Sequence, residues 1–236
     1  MPLFVKIICF WIGASMILPG ICMAVVFAGV ADPLLVSNIA LPTVLSCWIL
    51  ALATPLVMSS AASKEARFTA FVLTWSAIAI FFPLCWDLPW AIFHDWVNGA
   101  TAADVEKWYF WAYAVADTRF LNSDPVMVCV EYWSGIIGCI EIYFLLSFLK
   151  GHLDKAYRAF LIAGVLQFYG CTVFFGVEAQ YGFANIRPDL VSYIKFFGMN
   201  GMWMVVPAIS GYLLTKLLNN KSYDVNTVVR LLAGRN

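Results

Sequence analysis

The chain has 236 residues and no net charge, with 14 basic and 14 acidic side chains. Only 12% of its residues are charged and 63% are hydrophobic, whereas soluble domains carry about 25% charged residues. This composition is typical of a polytopic membrane protein, and it excludes a basic surface for a nucleic-acid partner. The seven cysteines form no C-x-x-C pair and the two histidines lie in different segments, so we expect no metal site and no cofactor.

Six apolar segments are long enough, at about 20 residues each, to cross a hydrocarbon core of about 30 Å. They lie near residues 7–30, 38–60, 68–93, 126–149, 157–178 and 193–216. The predicted fold is therefore all-α, a polytopic membrane bundle of about six transmembrane helices. The first segment is longer than the roughly 7–15 apolar residues of a signal peptide, which favours a retained helix over a cleaved signal.

The basic residues predict the orientation of the spans. If the N-terminus is cytosolic, that side carries Lys6, Lys64, Arg67, Lys150, Lys155, Arg158, Lys216, Lys221, Arg230 and Arg235. The opposite side carries only Lys107, Arg119, Arg187 and Lys195. This bias places both termini in the cytosol, and we expect residues 219–236 to be a cytosolic polar tail with little order.

One long connection, residues 94–125, lies on the non-cytosolic side and is rich in Trp and Tyr. Aromatic residues at this level form an interfacial belt or a lid over a cavity. Within the connection, residues 102–116 are predicted to form a helix with Thr101 as its N-cap and Asp104 three residues on.

Ionisable side chains inside spans are rare and are candidates for function. The chain has four, Asp87, Glu131, Glu141 and Glu178. Asp87 lies between two prolines that kink a helix and open room around the acid. Trp86 and Trp90 flank Asp87, and their faces suit a cationic intermediate.

Glu131 and Ser134 share one helix face by their i, i+3 spacing. An apolar cavity disfavours the charged form of a carboxyl, and two carboxyls in one site leave one protonated and one ionised. We therefore predict that Asp87 and Glu131 form an acid–base pair. The alternative for each of the four acids is a structural hydrogen bond between helices, and Glu178 lies close enough to a helix end to be interfacial.

The last span adds Asn200 and Trp203, again i, i+3, between two glycines that let helices approach closely. Asn200 suits a hydrogen bond to a substrate oxygen or a carboxyl, and Trp203 suits a cavity wall. The fifth span has a comparable polar and small cluster in Gln167, Tyr169 and Gly170.

Three stretches carry a family resemblance: ADTRFLNSDPVMVCVE, LQFYG with Glu178 eleven residues after Gln167, and FGMNGMWMVVP. In order and spacing they resemble the emopamil-binding protein family of the EXPERA group, which includes the Δ8–Δ7 sterol isomerase. The similarity runs from about Trp75 to Leu218. The family has five spans, so residues 1–37 would be an additional N-terminal helix and residues 38–218 the family-like domain.

The resemblance implies that Glu131 is the family's catalytic Glu and that Ser134 replaces its neighbouring Thr. It also implies that Asn200 and Trp203 match the Asn and Trp of the family's last helix. The family places a His and a Glu, i, i+4, before the long loop; here Pro83 and Asp87 occupy those positions. A location in the endoplasmic reticulum and a homodimer are implied by the resemblance alone.

The leading hypothesis is a membrane enzyme that protonates an alkene or epoxide of a lipophilic terpenoid or sterol, guides the carbocation and removes a proton elsewhere. Asp87, Glu131 and Ser134 would be catalytic. The sequence leaves open which of the two carboxyls is the acid and which is the base. The predicted substrate-binding residues are Trp86, Trp90, Trp133, Glu178, Asn200 and Trp203. A conventional Δ8–Δ7 sterol isomerase ranks second because the family's His is missing, and a non-catalytic binder of sterols or cationic amphiphiles ranks third.

Overall fold

The computed structural model describes residues 1–57, 63–220 and 223–233, and across these ranges it contains helices and turns but no β-strand. Six helical segments there are long and apolar enough to cross a membrane: Leu3–Phe27, Pro33–Val57, Lys64–Val97, Pro125–Leu149, Leu153–Gln180 and Leu190–Leu218. The predicted all-α bundle with six spans is confirmed. Residues 58–60 of the second predicted span, and the basic residues Lys221 and Arg235, lie outside the described residues.

The helices, numbered in chain order, are α1 Leu3–Phe27, α2 Pro33–Val57, α3 Lys64–Phe82, α4 Leu88–Val97, α5 Trp108–Ala114, α6 Pro125–Leu149, α7 Leu153–Gln180, α8 Leu190–Tyr193, α9 Asn200–Leu218 and α10 Val225–Leu232. A π-helical turn, Pro83–Asp87, joins α3 to α4, and a second one, Ile194–Met199, joins α8 to α9. The third and sixth spans are therefore each continuous through a π-helical turn.

Every span begins before the predicted residue because helices start at polar caps or prolines, not at the first apolar residue. Asp124 is the clearest case: its carboxylate accepts hydrogen bonds from the backbone N–H groups of Val126 at 2.8 Å and Met127 at 3.2 Å. Pro125 follows at the first helical position, where its missing N–H costs nothing. Asp124 and Pro125 thus fix where α6 begins, six residues before Glu131.

The tail does not match the prediction of a segment with little order, because α10 forms and packs back on the bundle. Its buried residues Val225, Val228 and Leu232 follow an i, i+3, i+7 pattern, which places them on one helix face. Val228 and Leu232 pack with Phe4 and Ile8 of α1 and with Ala66 and Ala70 of α3. This short apolar stripe in an otherwise polar segment is the sequence signal that indicates a packed helix, and the prediction overlooked it.

The third span and α6 approach closely at the first π-helical turn. A Cβ atom built on Gly138 would lie 3.0 Å from Leu84 Cγ and 3.2 Å from Pro83 Cβ, and one on Gly135 would lie 3.0 Å from Leu88. These separations are tighter than most Cβ contacts in proteins, so a larger residue would require Leu84, Pro83 or Leu88 to shift by a few tenths of an ångström. This contact brings Asp87, the last residue of the turn, against the helix that carries Glu131 and Ser134.

The long connection is buried to a greater extent than a belt at the membrane surface would be. Trp108, Trp111 and Tyr113 are 3%, 5% and 6% exposed, whereas Trp96 is 45% exposed. The helix here, α5, begins at Trp108 rather than near 102. Thr101 donates its backbone N–H and hydroxyl to Asp104, at 2.8 and 2.9 Å, and so closes a separate turn instead of capping a helix.

A buried ion cluster fastens the end of this connection to α7. Arg119, 2% exposed, donates from Nη2 to Asp117 at 2.6 Å and lies 3.2 Å through Nε from Glu178. Its Nη1 donates to the Phe174 carbonyl at 3.1 Å, and the guanidinium lies 4.5 Å from the Phe174 ring. Because these partners surround the cation, it satisfies two acids that would be costly to bury alone.

We predict that Gly138→Val destabilises the protein by about 1–3 kcal/mol, as overpacking does in well-packed cores. The added carbons meet Pro83 and Leu84, which belong to the turn that carries Asp87. Thermal unfolding in detergent measures the effect. Gly176→Val on α7 is the matched control because a Cβ there meets nothing within 4 Å; equal midpoints for the two variants would contradict the prediction.

We predict that Arg119→Met lowers the free energy of unfolding by about 3–5 kcal/mol, the usual cost of leaving a buried charge without its partner. Asp117 and Glu178 would both lose the cation, and the connection would detach from α7. The control is Arg187→Met, which removes an ion pair to Asp189 whose side chains are 43% and 38% exposed; such exposed pairs contribute at most about 1 kcal/mol. Thermal unfolding of both variants tests this, and similar losses would refute it.

Candidate active site

A cavity between the helices has a volume of about 440 Å³, within the range of about 300–1,000 Å³ of small-molecule sites. Its walls come from the first π-helical turn, α6, α7 and the start of α9. Tyr113 of α5 and Phe120 of the long connection also line it. The connection therefore contributes part of the cavity wall, which agrees with the lid interpretation rather than the belt.

Asp87 and Ser134 are joined by a hydrogen bond in which the Ser134 hydroxyl donates to Asp87 Oδ2. Asp87 is 7% exposed and both residues line the cavity. The contact depends on the π-helical turn, because π bulges in helices redirect side chains and occur often at functional sites. The sequence indicated a kink here from its prolines but gave no means to predict which way Asp87 would point.

Glu131 lines the same cavity and is also 7% exposed. Across the described residues it has no hydrogen bond or ion pair to another side chain or to the backbone. It shares a face of α6 with Ser134, as its spacing predicted, and when Asp87 is ionised the two carboxyls repel. Glu131 is thus a buried carboxyl that faces an apolar space without a protein partner.

Asn200 is held by two hydrogen bonds from its Nδ2, to the Tyr113 hydroxyl at 2.6 Å and to the Phe196 carbonyl at 2.6 Å. Burial raises the pKa of Tyr113 well above its usual range, so its hydroxyl stays neutral and accepts from the amide. The pair links the last span to the long connection across the cavity. Sequence reasoning missed Tyr113 because nothing in the sequence of the long connection indicates which span this tyrosine contacts.

Aromatic rings form much of the wall around the two carboxyls. Trp86 has its ring centroid 5.3 Å from that of Tyr113 and 5.5 Å from that of Phe120. Trp203 packs edge to face on Trp75 at 5.0 Å and lines the cavity. Trp133 and Tyr169 stand at the rim and are 56% and 67% exposed, so the cavity opens between α6 and α7.

Two of the sequence-predicted residues are not brought into the cavity. Trp90 is fully buried beside Phe120, with ring centroids 4.6 Å apart, and so stands behind the wall. Glu178 accepts from the Asn185 backbone at 2.9 Å and its side chain at 3.0 Å, and pairs with Arg119. The structure thus places Glu178 in the ion cluster, whereas Trp86, Asp87, Glu131, Trp133, Ser134, Asn200 and Trp203 line one cavity.

The search against family models found no match. The chain is 26% identical over 168 residues to the 3-beta-hydroxysteroid-Delta(8),Delta(7)-isomerase of Rattus norvegicus, covering 70% of this chain and 72% of that relative. It is 25% identical over 138 residues to the enzyme of the same name from Cavia porcellus, covering 57% of this chain and 59% of the relative. The six apolar helices and these relatives together indicate an integral membrane protein. Both relatives are isomerases of the emopamil-binding protein family, and the similarity confirms the resemblance to that family.

Proposed function

We propose that the protein is a membrane-embedded isomerase or cyclase that protonates an alkene or epoxide of a lipophilic substrate and later removes a proton from the resulting carbocation. One observation carries this proposal: two buried carboxyls, Asp87 and Glu131, share a cavity with aromatic walls. A purely structural carboxyl has hydrogen-bond partners in the protein, and Glu131 lacks them across the described residues.

The hydrogen bonds support one assignment of the acid and the base. An ionised carboxyl buried without a donor is very costly, so Glu131 carries the proton and is the acid. Asp87 accepts the Ser134 hydroxyl, and a hydrogen bond to the charged form favours that form, so Asp87 is the base. Glu131 and Asp87 would thus act as the differently protonated members of one carboxyl pair.

The proposed step balances without a cofactor. The Glu131 O–H bond breaks and its proton forms a C–H bond with the alkene, which leaves a cation on the adjacent carbon. Asp87 then takes a proton from a neighbouring carbon, and the electrons of that C–H bond form the new alkene. The Ser134 hydroxyl, which donates to Asp87, orients that carboxyl for the step. Proton exchange with the solvent between turnovers then restores the proton on Glu131 and the charge on Asp87.

The walls suit such a cation. The faces of Trp86, Tyr113 and Trp203 supply negative electrostatic potential, and cation–π contacts contribute about 0.5–2 kcal/mol each. The largely apolar lining also keeps water from capturing the cation. Trp133 at the rim would contact the part of the substrate nearest the opening.

The names of the two relatives support a sterol as the substrate class and a double-bond isomerisation as the reaction. The second candidate is therefore a conventional Δ8–Δ7 sterol isomerase. It ranks below the broader proposal because Pro83 occupies the position of the family's His, and no histidine is among the residues that line the cavity. A cyclisation uses the same acid and base, with carbon–carbon bond formation between the two proton transfers.

A third candidate, a non-catalytic binder, is favoured by one feature. An acid without a partner beside aromatic faces also suits a lipophilic ammonium ion.

We further propose that the protein lies in the endoplasmic reticulum membrane, that both termini face the cytosol, and that it forms a homodimer. The excess of basic residues on the side of the termini supports the orientation, and family resemblance supports the other two.

We predict that Glu131→Gln and Asp87→Asn each lower turnover of a Δ8 sterol by about 10²- to 10⁴-fold, the usual contribution of a general acid or base. In heavy water the wild type should place one deuterium in the isomerised product. Glu106→Gln, in the connection and outside the cavity, is the control. Full activity in both carboxyl variants would refute the proposal, and tight binding without deuterium exchange in the wild type would favour the binder.

We predict that Ser134→Ala lowers kcat by roughly 10- to 100-fold, because hydrogen bonds to charged groups contribute about 1.5–3 kcal/mol. Ser134→Thr keeps the hydroxyl and should restore most of the activity. KM should change little, since the hydroxyl acts on Asp87 and not on the bulk of the substrate. Steady-state kinetics on both variants decide this, and equal kcat values for the Ala and Thr variants would contradict the assigned role.

A further inference from the structure

Tyr109 of α5 forms hydrogen bonds in both directions with the first π-helical turn. Its hydroxyl donates to the Cys85 carbonyl at 3.1 Å, and the Trp86 indole N–H donates to the Tyr109 carbonyl at 3.2 Å. Pro89, four residues beyond Cys85, has no N–H to offer that carbonyl, so the phenol supplies a donor that the helix lacks. Burial raises the pKa of Tyr109 to about 12, and the hydroxyl therefore keeps its proton and remains a donor at neutral pH. The turn that ends at Asp87 is in this way attached to α5.

Lys195 attaches the second π-helical turn to the same short helix. Its amine donates to the Ala112 carbonyl of α5 at 3.3 Å. It also donates to the Ser37 hydroxyl at 2.7 Å and to the Asn38 side-chain oxygen at 2.9 Å. The Ala112 carbonyl lies in the last turn of α5, where carbonyls lack a helical N–H partner. Lys195 is 1% exposed, and these three acceptors match the three donors of an ammonium group.

Of the described helices, α5 is the one that forms hydrogen bonds to both π-helical turns. Tyr109 and Ala112 are three residues apart, about one helical turn, so both attachments belong to one rigid unit. The first turn ends at Asp87, and the second directly precedes Asn200. A shift of α5 would therefore move a residue of the site on each of two spans.

We propose that Tyr109 and Lys195 are positioning residues of the site. They attach the two π-helical turns to α5, and so hold Asp87 and Asn200 at fixed places on the cavity wall. Neither Tyr109 nor Lys195 lines that cavity, so both act through other residues and not on the substrate. The catalytic consequence rests on the proposed function, because a displacement of about 1 Å in a reacting group can cost about 10²-fold in rate. The attachment itself rests on the hydrogen bonds alone.

The first test is steady-state kinetics on a Δ8 sterol. Tyr109→Phe removes the hydroxyl and keeps the ring and the backbone contact with Trp86. It should lower kcat by about 5- to 10-fold, the loss expected for one hydrogen bond, and change KM by less than about 2-fold because the cavity lining is unaltered. Tyr181→Phe is the matched control, since that side chain is 60% exposed at the end of α7. Equal kcat values for the two variants, or a loss that appears in KM alone, would overturn the positioning role.

The second test needs no turnover. Hydrogen exchange of the protein in lipid nanodiscs is followed by mass spectrometry on peptides that cover residues 83–88 and 194–200. Because α5 joins the two turns, Tyr109→Phe should raise exchange by about 5- to 10-fold in both peptides through local opening, and leave peptides from α1 unchanged. Lys195→Met should do the same, with the exposed Lys155→Met of α7 as its control.

Faster exchange confined to the turn that carries the substitution, or a rise that is equal in α1, would overturn the attachment of both turns to α5. Tyr109→Phe removes a single oxygen atom, and it decides the matter even if Lys195→Met fails to fold. A wild type that converts no substrate would refute the proposed function, and the exchange of the two turns would then decide the attachment by itself. Normal turnover in Tyr109→Phe beside an active wild type would refute the positioning role and leave the proposed reaction standing.

Discussion

The cost of burying a polar or charged group away from water decides most of this structure. Buried charges elsewhere in the described chain have partners: Arg119 with Asp117 and Glu178, and Lys195 with the Ser37 hydroxyl at 2.7 Å and the Asn38 oxygen at 2.9 Å. Each of these clusters ties one span to another or to the long connection. Glu131 departs from this pattern, because it has no hydrogen-bond partner among the described residues, and the proposed function assigns that partner to the substrate.

Both π-helical turns contribute a polar residue to the cavity that Glu131 lines. The first ends at Asp87 and the second directly precedes Asn200, so each interrupted span delivers a polar side chain to the same cavity. A regular helix would carry these residues around its axis by the usual 100° per residue and turn them elsewhere. The close contact of Gly138 with Pro83 and Leu84 then seats the first turn against α6. Local irregularity and small residues together bring Asp87 and Glu131, which belong to different spans, to the lining of one cavity.

The sequence predicts the class of fold and the catalytic candidates because hydrophobic length and buried acids are local signals. Six spans follow from apolar runs, and Glu131 with Ser134 follows from helical spacing. What could not be predicted depends on contacts between distant segments: the π-helical turns, the partner of Glu178, and the contribution of Tyr113 and Phe120 to the cavity. Trp90 is an instructive case: its i, i+3 spacing from Asp87 predicts a shared helix face, yet its ring is buried against Phe120 behind the cavity wall. The helix α10 was missed because overall polarity concealed three apolar residues on one face.

The rim formed by Trp133 and Tyr169 sets the route by which a ligand arrives. These side chains stand on helices long and apolar enough to cross a membrane, and in the proposed membrane-embedded enzyme the mouth of the cavity would face hydrocarbon rather than either aqueous compartment. A substrate dissolved in the bilayer reaches it by lateral diffusion, without leaving the lipid. The quantity that governs saturation is then the mole fraction of substrate in the membrane. Michaelis constants expressed per volume of assay would change with the amount of lipid added, and those expressed per lipid would not.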